Sequence, residues 1–154
     1  MFSIGLDESG LTMENLLLPT QISIAAAAGT LLLGMLLGIW KFFGMATSEN
    51  GFAHPYVDIA HRSALMYATA TLILVPLAQF NEWSTTANTI AVCIVVFLFV
   101  ANILNYAFHG WKEDTTNQVH PVTPLVIGGI IVIIVGEIGG VGFLLTGFLS
   151  TQFG

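Results

Sequence analysis

Four long apolar segments, separated by short polar stretches, dominate the pattern of the chain. A helix needs about 20 mostly apolar residues to cross the hydrocarbon core of a bilayer, and the segments that reach this length are 22–43, 60–80, 86–109 and 124–149. Pro76 lies inside the second segment and predicts a kink there. The stretch 11–18 is too short to span, and we expect it to form a short helix at the membrane interface.

The connections between these segments are short, which favours antiparallel packing of consecutive helices. No linker or repeat is evident, so residues 1–154 are predicted to form a single membrane domain, an all-α integral membrane four-helix bundle. Small residues let helices approach closely in lipid, and the fourth segment is rich in them: Gly128, Gly129, Gly136, Gly139, Gly140, Gly142 and Gly147. They fit packing inside the bundle or, alternatively, contact between copies of a homo-oligomer.

Composition narrows the class of protein. The chain is 55% hydrophobic and only 8% charged, whereas a soluble domain carries roughly a quarter charged residues. Its surface is therefore expected to face a lipid bilayer. The formal net charge of −6 argues against nucleic acid as a partner, because little here could neutralise phosphates. A lone cysteine, Cys93, excludes an internal disulfide. The acidic start MFSIGLDESGLTMEN lacks a positive region, so we expect no cleavable signal peptide.

The three basic residues predict the orientation. Lys41 and Arg62 flank the first connection, and Lys112 lies near the third. Basic residues accumulate on the cytoplasmic side of membrane helices. We therefore expect a multi-pass protein of a bacterial inner membrane, with these connections in the cytoplasm and both termini outside.

All four histidines fall on that same side: His54, His61, His109 and His120. His61 opens the second segment and His109 closes the third, so the two imidazoles are expected at similar depth and could approach each other. Imidazole is a common ligand for haem iron and other metals. Alternatively, a histidine at this position could simply hydrogen-bond a helix end.

A polar stripe runs along the third segment. Asn102, Asn105, Tyr106 and His109 are spaced 3, 1 and 3 residues apart, which places them on one helix face. Such groups are costly against lipid tails, so the stripe should face the bundle interior, a partner subunit or a polar cavity. It could form a ligand or cofactor pocket, or only hydrogen bonds between helices.

Two further charged features stand out. Glu137 lies 13 residues after Pro124, roughly 20 Å into the fourth segment at 1.5 Å per residue. An ionisable residue at that depth is a functional-site hypothesis, and structural hydrogen bonding and proton handling are both open. Asp58 and Arg62 are one helical turn apart and are expected to pair.

Two stretches resemble a known family. AHRSALMYATATLILVPLAQF resembles the second helix of styrene oxide isomerases, and VANILNYAF resembles their third-helix pattern of Asn followed four residues later by Tyr. The resemblance covers roughly residues 60–110. It implies a membrane homotrimer holding haem b, whose ferric iron acts as a Lewis acid on an epoxide oxygen. A 1,2-hydride shift then yields the aldehyde.

Carried over by position, the resemblance makes His61 the iron ligand and Tyr106 and Asn102 catalytic residues. Tyr67 stands where the family has a second-helix asparagine. His109, with Asn105 on the same stripe, is a further candidate for cofactor binding. The resemblance predicts an isomerase of apolar epoxides. The histidines allow a second function, a b-type electron carrier ligated by His61 and His109, or a small subunit of a membrane redox complex. Glu137 allows a third function, a cofactor-free structural or proton-handling membrane subunit.

Overall fold

A computed structural model describes residues 16–154, and every regular element within that range is a helix. The elements are α1 (Leu18–Thr47), α2 (Pro55–Gln79), α3 (Thr85–Lys112), α4 (Pro124–Ile133), a π-helical turn (Ile134–Ile138) and α5 (Gly139–Phe153). The last three run on without a break as one helix, Pro124–Phe153, called here the last helix. The prediction of an all-α chain is confirmed for these residues. The short helix predicted at 11–18 falls largely outside them.

Three of the four helices are long and apolar enough to cross a membrane, namely α1, α3 and the last helix. The fourth predicted span, α2, has 25 residues but a more polar sequence. Each helix extends past its apolar segment at one or both ends, because backbone hydrogen bonding continues into polar residues that hydropathy does not mark. Pro76 stands in the last turn of α2, where the Phe80 N–H donates to its carbonyl at 3.0 Å.

Side chains define several helix ends. His54, Ser84 and Thr123 each precede a helix and accept a hydrogen bond from a backbone N–H two or three residues further on, which satisfies a donor that the first turn leaves open. After α3, Glu113 adopts a left-handed φ of 52°, and its N–H donates to the His109 carbonyl at 2.9 Å. These residues help to set the starts of α2, α3 and the last helix and the end of α3.

Buried apolar side chains form two clusters. The first joins α2, α3 and α5 and includes Leu74, Leu77, Val92, Val95, Phe99 and Leu144. The second joins α1, α2 and α3 through Leu37, Ala60, Ala64 and Ile103. Small residues bring α1 and α2 close together: a Cβ on Gly34 would lie 2.9 Å from Leu65 Cδ2 and 3.3 Å from Ala64 Cβ. Most buried side chains belong to α1, α2 and α3, and these three helices together are called here the body.

Consecutive helices are antiparallel, so one end of the bundle collects the end of α1, the start of α2 and the end of α3. All four histidines lie at this end, called here the histidine end. The expected ion pair between Asp58 and Arg62 is present at 3.5 Å, but Lys41 of α1 is nearer to Asp58, at 2.6 Å. This closer pair links α1 to α2, which spacing along one helix does not reveal.

Candidate functional site

Glu137 lies in the π-helical turn at the middle of the last helix. Such a turn interrupts the α-helical hydrogen-bond pattern and is found frequently at functional sites. Its carboxyl Oε1 accepts a hydrogen bond from Asn102 Nδ2 of α3 at 2.9 Å. This contact ties the most polar residue of the last helix to the polar stripe predicted on α3.

Tyr67 of α2 joins the same cluster. Its ring stacks on Phe99, with centroids 4.2 Å apart and planes 12° from parallel, and its hydroxyl lies near the side chain of Asn102. A phenol, an amide and a carboxyl group from α2, α3 and the last helix therefore lie close together, with a hydrogen bond between the amide and the carboxyl group. Together Tyr67, Asn102 and Glu137 are called here the polar triad.

A groove of about 410 Å³ opens beside the triad, between α3 and the last helix. Its walls are apolar apart from one carboxyl group, and its lining residues are Phe99, Glu137, Ile138, Val141 and Gly142. Pockets for small molecules have this character, mostly apolar with a few polar groups that fix orientation. The groove is open to the outside of the bundle rather than enclosed.

His61 lies on the other side of α2, against α1. Its Nδ1 is 2.8 Å from the carbonyl oxygen of Gly34. A Cβ on Gly38 would lie 2.8 Å from the ring carbon Cε1, so glycine is needed for the imidazole to sit this close to the α1 backbone. Because a carbonyl only accepts, Nδ1 is the donor in this contact, and in the neutral ring the lone pair is then on Nε2.

His109 has different partners. Its Nδ1 is 2.8 Å from Asp114 Oδ1, and its ring centroid is 5.6 Å from that of Tyr56. The bonds from His109 and Lys112 hold the pKa of the Asp114 carboxyl below its usual value. Since His61 packs against α1 and His109 against Tyr56 and Asp114, the approach of the two histidines stays a prediction.

The remaining stripe residues face the loop after α3. Tyr106 stacks against Tyr56 with ring centroids 6.0 Å apart, and Asn105 Nδ2 donates to Gln118 Oε1. The Gln118 N–H in turn donates to the Tyr56 hydroxyl at 2.6 Å. The predicted stripe thus divides: Asn102 belongs to the polar triad, and the other three belong to the histidine end.

Sequence reasoning did not single out Tyr56, Gln118 or Asn81. Tyr56 and Gln118 meet across 62 positions of sequence, and no local pattern predicts such a contact. Asn81 is buried and donates to the Leu144 carbonyl at 3.2 Å. Gly147, where a Cβ would collide with Asn81, was the available signal, since a glycine in a helix can mark a close neighbour.

Within residues 16–154, no group of three or more His, Cys, Asp or Glu side chains is placed to hold a metal ion by itself. A haem iron needs only one or two protein ligands, so this finding concerns protein-only metal centres. Comparison with known proteins finds no matching family model, no matching curated protein and no matching solved structure.

Proposed function

We propose that this chain is a haem b-dependent membrane isomerase that rearranges apolar epoxides to carbonyl compounds, with His61 as the iron ligand. One observation carries the proposal: His61 Nδ1 lies 2.8 Å from the Gly34 carbonyl oxygen. Histidines that ligate metals usually donate their other ring N–H to a carbonyl or carboxylate. In the described part of the chain, His61 Nε2 has no hydrogen-bond partner.

The donor chemistry at His61 fits a haem. One neutral imidazole with a fixed tautomer is the protein ligand in several haem classes, and the macrocycle would rest against apolar side chains, which α1 exposes in number. Bound ferric haem would supply a Lewis acid for the epoxide oxygen. The rearrangement moves one hydride between neighbouring carbons and involves no net oxidation.

The other proposed site residues act on the substrate. Tyr67 and Tyr106 carry phenol donors, and Asn102 carries both a donor and an acceptor. Tyr67 and Asn102 are neighbours in the polar triad, and we propose that they orient the substrate and its oxygen. An apolar epoxide dissolves in a bilayer and can reach such residues without crossing water.

The membrane setting is part of the proposal. We place all four helices across a bacterial inner membrane, with both termini outside and the histidine end cytoplasmic. Support comes from the three long apolar helices and from the three basic residues, which all lie at the histidine end. Gly128 and Gly129 of the last helix, where an added Cβ meets no atom within 4 Å, leave room for the close approach of a second copy in a homo-oligomer, and the family resemblance suggests a trimer.

The test is the visible spectrum of the detergent-purified protein, oxidised and then reduced, for the native chain and two variants. His61→Ala is expected to lose most of the haem, while His120→Ala, which removes an exposed loop imidazole, keeps it. A five-coordinate ferric spectrum together with epoxide turnover is expected for the native chain. Full haem content in His61→Ala would remove the ligand assignment, and a preparation that stays colourless after haem reconstitution would overturn the proposal.

Electron transfer is the second candidate function, because the Nδ1 atom of His109, like that of His61, lies within hydrogen-bond distance of an oxygen atom. Its Nδ1 faces the Asp114 carboxylate at 2.8 Å, and carboxylate–histidine pairs are common behind metal ligands. Six-coordinate low-spin iron that loses haem in both His61→Ala and His109→Ala would identify a bis-histidine carrier. A colourless protein would instead favour the cofactor-free subunit built around Glu137, which is supported by its bond to Asn102.

A further inference from the structure

Within residues 16–154, only one of the two carboxyl oxygens of Glu137 takes part in a hydrogen bond. Oε1 accepts the hydrogen bond from Asn102 Nδ2 at 2.9 Å. Its second oxygen, Oε2, has no hydrogen-bond partner among residues 16–154. A polar atom in apolar surroundings costs free energy unless it is hydrogen-bonded, so this oxygen is the group that remains to be satisfied.

The charge state of Glu137 follows from its neighbours. The chain has three Lys and Arg residues, and all of them pair elsewhere: Lys41 and Arg62 with Asp58, and Lys112 with Asp114. An unpaired carboxylate in an apolar environment is far less stable than the neutral acid. With Oε1 accepting from Asn102, the proton resides on Oε2, which makes that atom a hydrogen-bond donor.

We propose that the groove beside Glu137 binds an apolar small molecule through a hydrogen bond from the Glu137 carboxylic acid to an acceptor oxygen of that molecule, such as an epoxide, ether or carbonyl oxygen. The groove measures about 410 Å³. Phe99, itself stacked on Tyr67, provides a flat apolar wall. Gly142 leaves the opposite wall open, because no atom lies within 4 Å of a Cβ placed there.

The depth of Glu137 in the proposed bilayer favours an apolar ligand that carries an acceptor oxygen. The residue is 13 positions after the start of the last helix, roughly 20 Å along its axis. In the proposed bilayer this lies within the hydrocarbon core, where acyl chains carry no acceptor oxygen. The acceptor must therefore arrive on a molecule that is itself soluble in hydrocarbon.

This inference deepens the proposed function, because an epoxide and the carbonyl compound formed from it both carry such an oxygen. It rests on the proposed function for the reaction and for the bilayer setting. Binding at Glu137 needs no haem, so haem content and ligand binding are separate readouts. A colourless protein that still binds ligand would overturn the isomerase alone, and a haem protein that does not bind would overturn this inference alone.

The test uses the full chain in phosphatidylcholine vesicles with labelled acetophenone, an apolar ketone, and subtracts partition into protein-free vesicles of the same lipid. Saturable binding is expected. Glu137→Met removes the donor and should weaken binding about tenfold. Glu137→Gln is neutral, keeps an acceptor for Asn102 and offers an N–H donor, so it should bind within about threefold of the native chain.

A matched pair of glycine variants tests ligand binding independently if Glu137→Met folds poorly. Gly142→Leu fills the groove, whereas Gly139→Leu lies on the other flank of the last helix. A Cβ at either position meets no atom within 4 Å, so both variants should fold alike. Gly142→Leu should abolish saturable binding, and Gly139→Leu should preserve it.

An infrared difference spectrum reads the proposed bond directly. Adding acetophenone should shift the carbonyl band of a protonated carboxyl group, and that band should be missing in Glu137→Gln. An unmoved band, an equal effect of the two glycine variants, or binding lost in Glu137→Gln as fully as in Glu137→Met would each overturn the inference. So would a change of oligomeric state in Gly142→Leu alone, because a second copy would then occupy the groove.

Discussion

The body formed by α1, α2 and α3 and the last helix are held in place differently. The body supplies nearly all buried side chains, and Ala60, Ala64 and Ile103 are fully enclosed. In the last helix, α4 and the π-helical turn bury no residue, and α5 buries only Leu144 and Gly147. The body is therefore packed on several sides, whereas the last helix lies against α3 and the end of α2 along one face.

Glycines allow the last helix to lie close to its neighbours along this face. Added Cβ atoms on Gly136 and Gly147 would collide with Leu98 and Asn81, and one on Gly140 would lie 2.5 Å from Val95 Cγ2. In the proposed bilayer, helix association would depend on close packing and hydrogen bonds rather than on the hydrophobic effect. The difference teaches that the position of Glu137 is set by shape at these glycines, with the bond to Asn102 as an addition.

The largest expected effect comes from filling one of these contacts. Gly140→Leu would place a Cβ 2.5 Å from Val95 Cγ2, well inside van der Waals contact. Overpacking of this kind costs roughly 1–3 kcal/mol, and we expect about 3 because the branched Val95 side chain has no flexible end that can move aside. Unfolding in mixed micelles, followed by circular dichroism, measures the loss.

Gly139→Leu is the matched control for that variant, since a Cβ there meets nothing within 4 Å. It should leave stability unchanged or improve it slightly, because leucine favours a helix more than glycine does. If the two variants were equally stable, the account of the last helix as a shape-fitted element would be wrong.

A smaller effect is expected from the hydrogen bond between the two regions. Asn102→Leu removes the donor to Glu137, and hydrogen bonds between membrane helices contribute about 0.6 kcal/mol on average. A double-mutant cycle with Glu137→Met should return a coupling of about that size. Asn105→Leu, whose donor faces Gln118 instead, should show no coupling to Glu137, and a coupling there would contradict the assignment.

The smallest effect concerns Asp114, in the loop that joins the body to the last helix. Its pKa is held below the usual value of 3.8 by hydrogen bonds from His109 and Lys112. A lowered pKa in the folded state contributes stability above the unfolded pKa, and this is lost as pH falls through the folded pKa. The effect is small because the carboxyl is exposed to solvent.

The measurement for Asp114 is thermal unfolding of the native chain and Asp114→Asn over a pH series. Their difference in melting temperature should be constant above about pH 5 and should shrink below about pH 4. A difference that persists unchanged into more acidic solution would show that the pair contributes nothing through charge. Glu82→Gln, in an exposed loop, serves as the control.

Much of the secondary structure could be predicted from residue pattern. Apolar length located all four helices, and the start of the last helix at Pro124 was predicted to the residue. The stripe from Asn102 to His109 was also found, because helical periodicity is local. Its division between two sites could not be predicted, since that depends on which neighbour each side chain meets.

The sequence by itself determined the apolar lengths, the gathering of basic residues and histidines toward one end, and the position of Glu137 near the middle of a long apolar segment. These depend only on the order of residues along a helix of known rise. Only the tertiary structure decided that His61 faces Gly34, that Tyr67, Asn102 and Glu137 meet, and that a π-helical turn presents the carboxyl group. The reason is that contacts between helices depend on rotation and close approach, which residues distant in sequence set jointly.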